Sequence, residues 1–104
     1  MIKMSVYYPA AGGSKFDHDY YRTRHMPLIQ QRLGAACLRY EIEKGLAGGE
    51  PGSAPKFVAA CHVYSPSLAA FQQAFAPHRA EIVADVANYT DIQPIVQISE
   101  IVAG

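Results

Sequence analysis

Tryptophan is absent from this sequence, cysteine occurs twice, and charged residues make up only 17% of its 104 positions. Average domains carry about 25% charged residues, and disordered chains pair high charge with low hydrophobicity. Hydrophobic residues reach 50% here, so a disordered or solvating role is excluded. Lys+Arg 9 balance Asp+Glu 9, which leaves no basic excess for phosphates, and no nucleic-acid partner is expected. No apolar run approaches the roughly 18 residues of a membrane span, so no membrane insertion is expected either. Nothing after Met1 has the basic region, apolar stretch and cleavage site of a secretory signal. Cys37 and Cys61 are too few for a disulfide scaffold and match no zinc spacing. They read as reduced thiols in a cytoplasmic protein. GxGxxG, Walker and GxSxG patterns are missing, so no nucleotide cradle or hydrolase elbow is indicated. No cofactor or metal is expected.

What is present is a clear alternation of periods. Residues 1–8 alternate as a strand, with Ile2, Met4, Val6 and Tyr8 against Lys3, Ser5 and Tyr7. Residues 9–13, with Pro9 and two glycines, end it in a turn. Residues 16–33 predict a helix capped by Asp17 or Asp19 and stopped by Gly34. Pro27 lacks a backbone donor and predicts a kink or a late start within it. Residues 38–46 and 56–64 form two more strands around a Gly/Pro-rich connection, 45–55. Ser65-Pro66 opens a second helix, with Ser65 as its cap and Leu68, Phe71 and Phe75 as its stripe. Pro77 breaks it before a further helical stretch marked by Ile82, Val86 and Tyr89. A last strand covers residues 91–102.

The order β-α-β-β-α-β is that of ferredoxin-like α+β folds, a four-stranded antiparallel sheet with both helices on one face, in a single domain over residues 1–104. The other face should then turn polar. Its set instead contains Tyr7, Val58, Ala60 and Tyr64, with several of Ile92, Val96 and Ile98 or of Ile95 and Ile101 according to register. This predicts a homodimer that packs its open sheet faces together.

Candidate chemistry concentrates in residues 16–28. His18 and His25 stand two helical turns apart, with Tyr21, Leu28 and Ile29 on the same side. His25, beside Pro27, is the first choice for a pocket-facing general base, while His18 is expected at the surface. Tyr21 and Leu28 are expected to touch a ligand. Pairing of the second and third strands puts Tyr40 opposite Cys61, with Cys61 or His62 in the cavity according to register. His78 and Arg79 follow Pro77, where His78 is a further catalytic candidate on the cavity wall. Seven tyrosines suit an apolar cavity with polar tips, matched to a small organic molecule.

The string Phe16-Asp17-His18-Asp19-Tyr20-Tyr21-Arg22-Thr23-Arg24-His25-Met26-Pro27-Leu28 resembles the signature of the EthD family, named for ethyl tert-butyl ether degradation. Phe71 to Phe75 and the Asp85 to Asp91 stretch, with its Asn-Tyr-Thr-Asp run ahead of the last strand, resemble family features too. The resemblance implies a dimeric α+β barrel. Relatives in that wider group include cofactor-free isomerases, cyclases and dehydratases, heme-degrading enzymes, and quinone-forming monooxygenases that depend on a tryptophan this chain lacks. By position His25 matches the motif histidine, and Tyr40 and His78 are cavity partners by analogy with lactone isomerases of the group. The resulting expectation is a cofactor-independent acid/base enzyme on a small, partly apolar compound of an ether or aromatic degradation pathway. The alternatives are a non-catalytic carrier or accessory protein of a monooxygenase system, and a heme protein with His78 as axial ligand.

Overall fold

Alternation in β1 (Ile2–Pro9) sets the molecule's two sides. Ile2, Met4, Val6 and Tyr8 are buried in the core with residues of the helices. Lys3, Ser5 and Tyr7 point the other way, as a period of two requires. The computed structural model describes residues 1–12 and 14–104; Gly13, part of the turn expected after β1, lies outside the described residues. Three more strands follow: β2 (Arg39–Lys44), β3 (Phe57–Ser65) and β4 (Ile95–Glu100). The sheet order is β2-β3-β1-β4 with every neighbouring pair antiparallel, which is the ferredoxin-like arrangement.

The first helix, α1 (residues 18–33), joins three segments: His18–Tyr20, a π-helical turn Tyr21–His25, and Met26–Leu33. Asp17 caps it by accepting from the Tyr20 N–H at 3.0 Å. The kink expected at Pro27 takes the form of that wide turn directly before it. In a regular helix the proline ring would press on the Thr23 carbonyl, and Pro27 has no N–H to offer it. The wider turn relieves this, and the Met26 N–H reaches back five residues to the Tyr21 carbonyl. Gly34, at φ 54°, ends the helix in a conformation that suits glycine.

The helix after β3 starts later than expected. Ser65 is the buried last residue of β3, and Ser67 is the cap of α2 (Leu68–Phe75), accepting from the Ala70 N–H at 3.1 Å. Pro66 breaks the strand ladder, so the hydroxyl two residues on does the capping. Pro77 sits in a 3₁₀ turn, Ala76–His78, which is followed by α3 (Arg79–Asp85) and a short turn, Val86–Asn88.

The open sheet face differs from the expected apolar surface. Val96 and Ile98 pair with Val6 and Met4 and lie on the helix side. The open face interleaves Tyr7, Ala60, Tyr64 and Ile95 with polar groups. Ser5 Oγ is 2.7 Å from His62 Nδ1, and His62 Nε2 is 3.2 Å from Glu43 Oε1. The Tyr64 hydroxyl donates to Glu41 at 2.8 Å, and Arg39 lies 4.0 Å over the Tyr64 ring. These pairings satisfy the polar groups that the apolar residues would otherwise bury unpaired. Among the described residues no helix is long and apolar enough to cross a membrane.

Candidate functional site

Between the helix side of the sheet and the helices lies a cavity of about 420 Å³. That size is within the range of small-molecule sites. The sheet contributes Val6, Tyr8 and Cys61 to its wall, and α1 contributes Tyr21 and His25. Phe71 and Phe75 of α2 and Arg79 of α3 close the remaining side.

His25 ends the wide turn and is 3% exposed. Its ring stacks on Tyr21, with centroids 5.5 Å apart and planes 15° from parallel, and meets the Tyr89 ring at 4.6 Å. Nδ1 is 2.8 Å from Asp85 Oδ2 at the end of α3. The other oxygen of Asp85 accepts from the Tyr20 hydroxyl at 2.7 Å and from Asn88 Nδ2 at 2.9 Å. Burial opposes ionisation of Asp85, but the hydrogen bonds from Tyr20, His25 and Asn88 together hold its carboxyl below the usual value. Burial also lowers the His25 pKa below 6.5, and Asp85 offsets only part of that. A neutral imidazole facing an ionised carboxylate carries its proton on Nδ1. Nε2 is then an acceptor on a residue that lines the cavity.

Tyr21 is fully buried, and its hydroxyl has no hydrogen-bond partner among the described residues. A buried unpaired donor is costly, on the order of 1–3 kcal/mol, so the position of this hydroxyl beside Tyr8 and Cys61 on the cavity wall calls for a reason. Burial, followed by the proximity of Cys61 and Tyr8, pushes its pKa up, so it remains a neutral donor. Tyr8 pairs hydroxyl to hydroxyl with Tyr89 at 2.6 Å and is pushed up to about 12, chiefly by burial. The Cys61 thiol is likewise pushed up to about 11 by burial. It stays protonated, and a thiol is a far weaker nucleophile than a thiolate.

The structure brings His25, Tyr21 and Cys61 together on this wall. Tyr40, Leu28 and His78 are half-buried and lie outside it. Tyr40 pairs with Val63, two residues from the expected Cys61, and Ile42 takes the place opposite Cys61. A shift of two keeps Tyr40 on the helix side but moves it along the strand. Leu28 gives way to its neighbour Ile29, and His78 to its neighbour Arg79. His62 belongs to the open face, which settles that Cys61 is the one at the cavity. Two residues carry roles that the sequence did not assign: Arg79, expected only as the neighbour of His78, and Asp85, expected only as the start of the stretch that runs to Asp91. Asp85 stands one turn before Tyr89 and one position before Val86, so it rides the edge of the stripe marked by Ile82, Val86 and Tyr89. A carboxylate at that edge was the available signal. Among the described residues no group of three His, Cys, Asp or Glu side chains is arranged to hold a metal ion.

Comparison with known proteins gives a consistent result. The EthD domain matches residues 14–93. A crystal structure of an EthD-like protein from Ralstonia eutropha JMP134 is 52% identical, covering 98% of this chain and 92% of that one, with TM-score 0.93. An EthD family protein from Bacillus halodurans C-125 is 19% identical over 97% of this chain and 98% of that one, with TM-score 0.73. An antibiotic biosynthesis monooxygenase shares the fold at 16% identity and TM-score 0.50, covering 99% of this chain and 100% of that one. No curated protein sequence gives a significant match.

Proposed function

The chain belongs to the EthD family, and from that premise we propose that its cavity is the active site of a cofactor-independent acid/base enzyme acting on a small, partly apolar organic compound. The observation that carries this reading is the His25–Asp85 pair, 2.8 Å apart, on the wall of a mostly apolar cavity of about 420 Å³. Nε2 of His25 removes a proton from a carbon next to a carbonyl. The C–H electron pair moves onto the carbonyl oxygen as an enolate, which accepts a hydrogen bond from the Tyr21 hydroxyl. Asp85 stabilises the imidazolium formed and keeps the ring in the right tautomer. Return of the proton to another carbon gives isomerisation; its transfer from the imidazolium to a β-hydroxyl, which leaves as water while the enolate collapses to an enone, gives dehydration. A positioned base of this kind contributes roughly 10²–10⁴-fold in rate.

The test uses 2-tetralone, a bicyclic ketone small enough for the cavity, incubated with the protein in D2O. Exchange of its α-protons, followed by ¹H NMR, should run faster than in buffer, and His25→Gln should abolish the difference. No acceleration by the native protein refutes the catalytic reading. Binding of 2-tetralone without exchange favours the carrier reading instead.

A homodimer is part of the same proposal. Tyr7, Tyr64 and the exposed Ile95 give the open sheet face an apolar content that a second copy would cover, and its polar groups already have partners within the chain. The cytoplasm is the location in keeping with two free thiols, Cys37 and Cys61.

A further inference from the structure

We propose that the cavity selects organic anions: a carboxylate on an apolar body, with the carboxylate held by Arg79 and the body lying between Phe71, Phe75 and His25. This rests on reading the cavity as a ligand site and adds the chemical class of the ligand.

Arg79 is the one Arg or Lys side chain on the wall, and among the described residues no carboxylate lines the cavity. The carboxylates near it are already engaged. Glu81 is gripped by both ends of the Arg32 guanidinium, at 2.8 and 3.0 Å, and Asp85 is held by Tyr20, His25 and Asn88. Arg39 is likewise taken by Glu41 at 2.9 Å, whereas Arg79 forms no ion pair among the described residues. It is exposed, as is its neighbour Val83, so it stands where the cavity opens to water. A planar guanidinium with five donors fits a carboxylate in two-point contact. Behind it the wall is apolar and His25 is neutral, so the charge of a ligand is recognised at one end and its apolar body at the other.

Solvent at the mouth screens the pair, so the preference is expected near tenfold rather than in the hundreds. Equilibrium dialysis would compare 2-naphthylacetate with the isosteric, uncharged 2-naphthylacetamide. In low salt the native protein should bind the acetate about tenfold more tightly, with the preference shrinking as salt rises. In Arg79→Gln the two dissociation constants should converge, and Arg79→Lys should keep part of the preference. Equal affinities in the native protein, or a preference that survives Arg79→Gln, would overturn the proposal. Failure of both probes to bind would overturn it together with the ligand-site reading. The 2-tetralone exchange stands apart from this, because that probe has no charge for Arg79 to recognise.

Discussion

Asp85→Asn is the most informative single change, because it alters one charge and almost no volume. In the native protein Asp85 can only accept, so His25 must donate from Nδ1 and present a lone pair at Nε2. Asparagine keeps an oxygen for Tyr20 and Asn88, which now hold Oδ1 at 2.7 and 2.9 Å. Its amide nitrogen then faces His25, and the imidazole answers by moving its proton to Nε2. The cavity would then meet an N–H where it had met a base. A comparable tautomer error in serine proteases lowers kcat by about 10⁴, and general-base effects run to roughly 10²–10⁴. Exchange of 2-tetralone should therefore fall by about 10²–10⁴-fold. Exchanging charge-assisted hydrogen bonds for neutral ones at this mostly buried group should cost on the order of 1 kcal/mol of stability. Long-range ¹H–¹⁵N NMR of the imidazole reads the tautomer directly and needs no substrate. The His25 pKa should move further down, since Asp85 is what raises it against burial. An Nδ1–H tautomer in both proteins, or exchange within tenfold of native, would refute the argument.

Other consequences are open to measurement. Because burial lowers the His25 pKa, the unfolded chain binds the extra proton first; stability is complete above pH 6.5 and falls as pH drops through the lower folded value, readable in urea midpoints. The acidic limb of the exchange rate should accordingly lie below pH 6.5, and a limb above it would contradict a neutral buried base. Asp85 adds stability above pH 3.8 that is lost as pH falls through its depressed folded value. Met26→Ala, at a fully buried position, should cost about 2–5 kcal/mol, seen as a lower urea midpoint at unchanged slope. If the open faces pair, the native protein should sediment as a dimer and Ile95→Glu as a monomer, since Ile95 is 54% exposed in the single chain and its loss does not empty the core.

The element order and both ends of α1 were legible from local pattern, because period, caps and Gly34 act within a few residues. Tyr21 and His25 could be placed on the cavity side because they share one face of a single helix, whereas the choice between Cys61 and His62 was not legible, because a slip of one residue exchanges the two faces of a strand. Tyr40 could not be placed opposite the right residue, since nothing local fixes the length of the connection around Gly45 and Pro55. Which apolar set of β4 faces the helices stayed open for a similar reason: Ile95, Val96 and Ile98 are all apolar, so alternation in β4 gives no sign of which side is in. The role of Asp85 lay beyond reach because it comes from His25, 60 residues away, and from Asn88 and Tyr20 meeting on one carboxylate. The Asn-Tyr-Thr-Asp run ahead of β4 has a physical reason in the same place. Asn88 holds Asp85, Tyr89 packs on His25, Thr90 donates to the Lys15 carbonyl, and Asp91 accepts from the Lys15 N–H.

The wide turn in α1 also sets how the chain can change in length. Tyr21, His25, Ile29 and Leu33 recur every four residues and are all buried. At 3.6 residues per turn each such step drifts by about 40°, so three steps would carry Leu33 about 120° around a regular helix. One loosened turn takes back part of that drift, and a single straight stripe results. Deleting one residue from the turn would leave Asp17 and Gly34 in place and complete the helical hydrogen bonds, yet rotate one half of the stripe away from the other. Such a helix would be more regular, and it would leave either His25 or Ile29 turned from the core. Relatives that gain or lose a residue at this point should therefore have moved their base to a different position, whereas point substitutions on either side of it need not.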